Sequence, residues 1–164
     1  APDLVAIAKA AMVGVMIARA DMGEHLQQGW HASTWAAGRI FDLTMAQTVI
    51  ATLTDYHDPV FLGRSYFENQ RIKGEYIRRH LAELAERHSG MLLEFNGLGC
   101  MFGLTVTRRE EFVARAWQRG IKLMRAGADG EESRVRLLFL ADVLTREIDA
   151  IMAGLDGLLT ELDP

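Results

Sequence analysis

Lys9 closes an apolar run, Leu4-Val5-Ala6-Ile7-Ala8-Lys9, and is one of only three lysines in the chain. An amine held in apolar surroundings gives up its proton more readily, and the neutral amine is the form that attacks a carbonyl. The plain alternative is a lysine at the edge of a strand with its ammonium in water. Ser33 and Thr34 sit in a loop of small residues, His31-Ala32-Ser33-Thr34-Trp35-Ala36-Ala37-Gly38, ahead of an expected helix. Hydroxyls and free amides there can take phosphate oxygens, helped by the positive end of the helix. Ordinary helix capping uses the same residues. Trp35 can pack on a bound ring or at a domain interface.

Arg136 lies between Val135 and Leu137 on an expected strand. Its planar fork matches a carboxylate with two parallel hydrogen bonds, and strand alternation turns Arg134 to the same face. A salt bridge to an acidic side chain would satisfy it equally. His31 can hydrogen-bond within its loop. Cys100, the single cysteine, excludes an internal disulfide and reads as a buried strand residue.

These groups are carried by 164 residues with a formal net charge of -4, 49% hydrophobic and 24% charged. Such a chain can bury a sizeable core in one or two modest domains. No basic patch dominates, which argues against nucleic-acid binding. No apolar stretch approaches a bilayer span and no leader pattern opens the chain, so no membrane span and a cytoplasmic location are expected.

The elements that must position the candidates follow from periodicity. Leu4 to Ala8 and Val13 to Ala18 read as apolar strands of the kind found in buried parallel sheets. A short surface helix is expected over Asp21 to Gln28. From Arg39 to Leu53, Phe41, Met45, Val49 and Leu53 form a fourfold stripe, broken at Thr54-Asp55-Tyr56-His57-Asp58-Pro59. A long helix is expected from Gly63 to His88, with Ile77, Leu81, Leu84 and Ala85 inward. Two strands, Met91 to Phe95 and Met101 to Thr107, are joined through Asn96-Gly97-Leu98-Gly99. A helix over Glu110 to Arg119 should bury Phe112, Val113, Ala116 and Trp117. Strands at Ile121 to Met124 and Arg134 to Leu140 come next. A final helix is capped by Thr145 and buries Ile148, Ile151, Met152, Leu155, Leu159 and Leu162. The result is a broken α/β segment over residues 1–60, then a two-layer α-β-β-α-β-β-α domain over residues 61–164.

Pro2 to Lys9, His31 to Gly38, Gly97-Leu98-Gly99-Cys100-Met101-Phe102-Gly103-Leu104, Arg136-Leu137-Leu138 and Glu147-Ile148-Asp149 recur in the order seen in class III aminotransferases. Over nearly its whole length the chain resembles the carboxy-terminal part of these fold-type I enzymes, which depend on pyridoxal 5'-phosphate (PLP). Ser33-Thr34-Trp35, Trp117-Gln118-Arg119 and Ala126-Gly127-Ala128-Asp129 are similar to the lysine 6-aminotransferase branch. The resemblance implies that residues 1–60 end a PLP-binding large domain and residues 61–164 form the small domain. It implies that Lys9 carries the cofactor covalently and moves the proton in catalysis. It also implies that Thr34, beside Ser33, holds cofactor phosphate across a dimer interface and that Arg136 receives a substrate carboxylate. The implied reaction moves an amino group, with a terminal amine as donor, to a 2-oxo acid such as 2-oxoglutarate.

Three stretches depart from the family pattern. Ala10-Ala11-Met12-Val13-Gly14 replaces a glycine-rich run, Ala36-Ala37-Gly38 replaces glycine-glycine-asparagine, and Phe139-Leu140 replaces paired prolines. The family's ring-binding aspartate, stacking aromatic and phosphate loop all precede the lysine and are not found in the eight residues before Lys9. Two accounts stay open. In one, a companion polypeptide carries the amino-terminal half of a split or processed enzyme, or of a homo-oligomer of such enzymes. In the other, the chain is a catalytically inactive dimerisation or regulatory module. A helical scaffold for protein partners is a third, weaker reading.

Overall fold

A computed structural model describes residues 4–7, 15–21, 40–58, 61–127, 133–140 and 142–163. The chain divides into two compact units, Ala1–Ser65 and Tyr66–Pro164.

In the first unit, β1 (Leu4–Ile7) and β2 (Val15–Ala18) pair antiparallel, Leu4 opposite Ala18 and Ile7 opposite Val15. The parallel arrangement expected from the apolar runs is therefore corrected. An apolar run reports burial, but says nothing of the direction of the neighbouring strand. Helix α1 (Ile40–Asp55) follows, with Ala46 buried and Met45, Val49 and Leu53 half-buried. Three threonines, Thr48, Thr52 and Thr54, return their hydroxyls to carbonyls four residues back, a habit that lets a β-branched polar residue sit within a helix. A small hairpin of β3 (His57–Asp58) and β4 (Arg64–Ser65) ends the unit, and Phe61, in the stretch between the two strands, is buried.

The second unit runs α2 (Tyr66–Arg87), β5 (Leu92–Leu98), β6 (Met101–Val106), α3 (Arg109–Gln118), β7 (Met124–Arg125), β8 (Arg134–Leu138) and α4 (Thr145–Leu162). The strands form one antiparallel sheet in the order β5-β6-β8-β7. This is the expected element order, with local corrections. β5 continues through Asn96, Gly97 and Leu98, so the hairpin turn shrinks to Gly99-Cys100. Gly99 takes φ 57°, which its missing Cβ permits. Cys100 is buried in that turn rather than in a strand. Ile121 and Leu123 are buried outside any strand, and Trp117 is 68% exposed where an inward position was expected. Thr145 is the first helical residue of α4. The cap is made one residue earlier, where the Leu144 amide donates to the Glu147 carboxylate at 2.8 Å.

The core lies between one face of the sheet and the three helices. Leu92, Phe102, Leu104, Val106, Val135 and Leu137 pack from the sheet against Ile77, Leu81, Leu84, Phe112, Ile148, Met152 and Leu155. Full burial of each such side chain contributes about 1.5–3 kcal/mol. The alternation on β8 is strict: Val135 and Leu137 are buried, and Arg134, Arg136 and Leu138 are exposed.

Candidate active site

The inward set on β8 fixes the outward set, because successive side chains point to opposite faces. Arg136 is thus held on the open face of the sheet by the burial of Val135 and Leu137. Three rows run across that face. Arg136 pairs with Gly103 on β6 and Met124 on β7, and Gly103 in turn pairs with Asn96. One row along lie Leu98, Met101 and Leu138, 89%, 51% and 54% exposed. In the other direction lie Glu94, Thr105 and Arg134.

A Cβ placed on Gly103 would touch nothing nearer than the Asn96 carbonyl oxygen at 3.8 Å. The flank of Arg136 on that side is therefore open. A recess of about 220 Å³ on this face is lined by Glu94, Asn96, Gly103, Thr105 and Arg134, among others, and not by Arg136 itself. Within the recess Glu94 and Arg134 carry opposite charges, and one row along the exposed Arg136 presents a fork that matches a small carboxylate. Gly103 and Met124 were not singled out from the sequence. Only the strand register, which no single strand encodes, brings them beside Arg136.

Lys9, Ser33, Thr34 and His31 lie outside the described residues, and so do the departures at residues 10–14 and 36–38. For a PLP group the test is the chemistry of the donor set, and a lysine amine with two hydroxyls matches an aldehyde and a phosphate. Cys100 is no competitor as a nucleophile, since burial raises its thiol pKa. Among the described residues no group of three or more His, Cys, Asp or Glu side chains could hold a metal ion. No helix among them is long and apolar enough to cross a membrane.

The α2 stripe held groups that sequence reasoning missed. Asn69 and Lys73 are buried along α2 with Ile77, Leu81 and Leu84, and His88 is buried in the turn just beyond the helix. The spacing was the available signal, with Asn69 and Lys73 at fourfold steps before Ile77 and His88 four residues after Leu84: polar residues on an apolar stripe must find partners inside. Lys73 Nζ donates to the Val143 carbonyl, and His88 Nε2 lies 2.8 Å from Asp156 Oδ1.

No protein-family model matches the sequence. L-lysine-epsilon aminotransferase from Mycobacterium tuberculosis is 32% identical over 97% of this chain. The counterpart from Amycolatopsis lactamdurans is 30% identical over 94% of it. The chain spans 34% of the length of each of these relatives. A solved lysine aminotransferase from M. tuberculosis superposes on 99% of this chain and 36% of its own, with TM-score 0.75 and 26% identity. An ornithine aminotransferase from Toxoplasma gondii shares the fold at 17% identity, again with TM-score 0.75, over 98% of this chain and 37% of its own. In sequence and fold the chain matches the carboxy-terminal part of a class III, fold-type I PLP-dependent aminotransferase. Within that class, its curated relatives reported above are both lysine-epsilon aminotransferases.

Proposed function

We propose that this chain supplies the carboxy-terminal part of a PLP-dependent aminotransferase, moving an amino group from an amino acid, with a terminal amine as donor, to a 2-oxo acid. Residues 1–60 end the cofactor-binding domain and residues 61–164 form the small domain. The observation that carries the reading is the place of Arg136, exposed beside an unsubstituted Gly103 on the open face of the sheet. Preceding sequence or a companion polypeptide provides the ring-binding carboxylate and the stacking aromatic, and the assembly works as an oligomer.

When bound, PLP supplies an electron sink for the substrate carbon. Lys9 would hold it and would carry a proton to or from the substrate carbon. Ser33 and Thr34 hold the phosphate by hydroxyl and amide hydrogen bonds. Arg136 orients the substrate by gripping its carboxylate with two N–H groups.

Borohydride reduction of the native assembly tests the reading, with peptide mass analysis to locate any pyridoxyl group. The group is expected on Lys9 and lost in Lys9→Ala. An unmodified Lys9 in the complete assembly overturns the catalytic reading. It leaves the inactive dimerisation or regulatory module, which the bulky Ala10-Ala11-Met12-Val13 stretch favours.

A further inference from the structure

Arg136 is flanked across the ladder by Gly103, which has no side chain, so lateral packing on that flank does little to aim it. Its direction depends on the register and depth of β8. A slip of one residue would turn Arg136 into the core. What fixes β8 is therefore part of the site.

The strand leaves the sheet at Leu138, and the following segment is pinned at three points. The Phe139 amide donates to the Cys100 carbonyl at 3.0 Å. Gln70 Nε2 of α2 donates to the Leu140 carbonyl at 3.2 Å. One helical turn further along α2, Lys73 Nζ donates to the Val143 carbonyl, and both Lys73 and Val143 are buried. The Val143 amide returns to the Leu140 carbonyl at 3.2 Å, closing the turn between the two pinned carbonyls. A buried ammonium is stable only where acceptors surround it, so Lys73 and the Val143 carbonyl hold each other in place. α2 also grips the β5–β6 hairpin at the same end of the sheet. Arg78 donates to the Gly97 carbonyl, and its guanidinium lies over the Phe102 ring at 5.5 Å.

We infer that Lys73 and Gln70 are positioning residues for Arg136, setting the exit of β8 so that the guanidinium fork meets a carboxylate squarely. The inference rests on the reading of Arg136 as the carboxylate-binding group. Recognition by two parallel hydrogen bonds is sensitive to small displacements, and a misplacement of about 1 Å can cost orders of magnitude in rate. A loosened exit should therefore weaken carboxylate binding before it unfolds the domain.

The test is a titration of the 164-residue chain with propionate, following the Arg136 Nε–Hε resonance by NMR. It runs at a temperature where circular dichroism shows every variant folded. Wild type should respond saturably and Arg136→Gln should lose the response. Lys73→Met should weaken binding roughly five-fold, and Lys73→Arg, which keeps a donor, should stay within about two-fold of wild type. Gln70→Ala, at a milder contact, should weaken it in the same direction and stands in if Lys73→Met fails to fold. If a folded Lys73→Met or Gln70→Ala binds propionate as wild type does, the two residues serve stability alone and the inference is overturned. A response that survives Arg136→Gln, or is absent from wild type, overturns the reading of Arg136 itself.

Discussion

Gly103 stands directly across the β6–β8 ladder from Arg136, on the open face of the sheet. The pairing puts the smallest residue beside the largest cation, where antiparallel partners have Cα atoms only about 4.5–5.5 Å apart. Gly103→Leu should fold normally, since its Cβ meets only the Asn96 oxygen at 3.8 Å. Stability should change by no more than about 0.5 kcal/mol in chemical denaturation. The leucine would, however, cover the approach to Arg136. In the assembled enzyme the KM for the 2-oxo acid is expected to rise roughly ten-fold, the mark of a misplaced or shielded binding group.

Gly74 and Gly157 give opposite expectations for one substitution. A Cβ on Gly74 would lie 2.5 Å from the Gly99 carbonyl oxygen, a backbone atom that cannot give way cheaply. Gly74→Ala should destabilise by about 1–3 kcal/mol through overpacking, despite the better helix propensity of alanine. A Cβ on Gly157 would meet only the end of the Arg119 side chain, at 3.1 Å. Gly157→Ala should therefore gain up to about 1 kcal/mol. Urea midpoints of the two variants check both signs.

Acid should loosen the seam between α2 and α4. The hydrogen bond to His88, then Arg87 at 3.1 Å, holds the Asp156 carboxyl below the usual carboxylate range. Its folded-state pKa is depressed, so ionised Asp156 contributes stability in full above the ordinary value near ~3.9. That contribution is lost as pH falls through the lower folded value. Asp156→Asn should flatten stability against pH in that acid window, as urea melts at stepped acid pH would show.

Glu110 is the surface counterpart. Hydrogen bonds from Arg125, then from Arg109, pull its pKa down to about 2. The pair is exposed, so water and salt screen it, and Glu110→Gln should barely change the unfolding midpoint. The low pKa itself should be visible as a carboxyl carbon that titrates near pH 2 in an NMR series.

Cys100 should react slowly. Burial raises its thiol pKa and limits reagent access. Iodoacetamide labelling at pH 8 should proceed far faster in denaturant than in buffer, and Cys100→Ala should leave amino transfer unchanged.

Periodicity alone located α2 and α4, because Ile77, Leu81 and Leu84, and Ile148, Met152, Leu155, Leu159 and Leu162, mark continuous buried stripes. It also set Arg134 and Arg136 on one face of β8, and the burial of Val135 and Leu137 shows that face to be the outward one. Lys73 escaped notice for the converse reason. It occupies a stripe position, but its partner Val143 is 70 residues away and offers only a backbone carbonyl. The open flank at Gly103 and the antiparallel pairing of β1 with β2 were equally hidden, because both depend on strand register, which is set by contacts distant in sequence. Trp117 misled because helical spacing predicts a face, and a short helix such as α3 leaves the edge of that face uncovered.

The most direct test of the whole account is the kinetics of Arg136→Gln in the complete enzyme. A charge-assisted carboxylate grip contributes about 1.5–3 kcal/mol. Its loss should lower kcat/KM for the 2-oxo acid about ten- to hundred-fold, while covalent cofactor attachment at Lys9 is retained. An unchanged kcat/KM would mean that the arginine on the open face of β8 does not receive substrate.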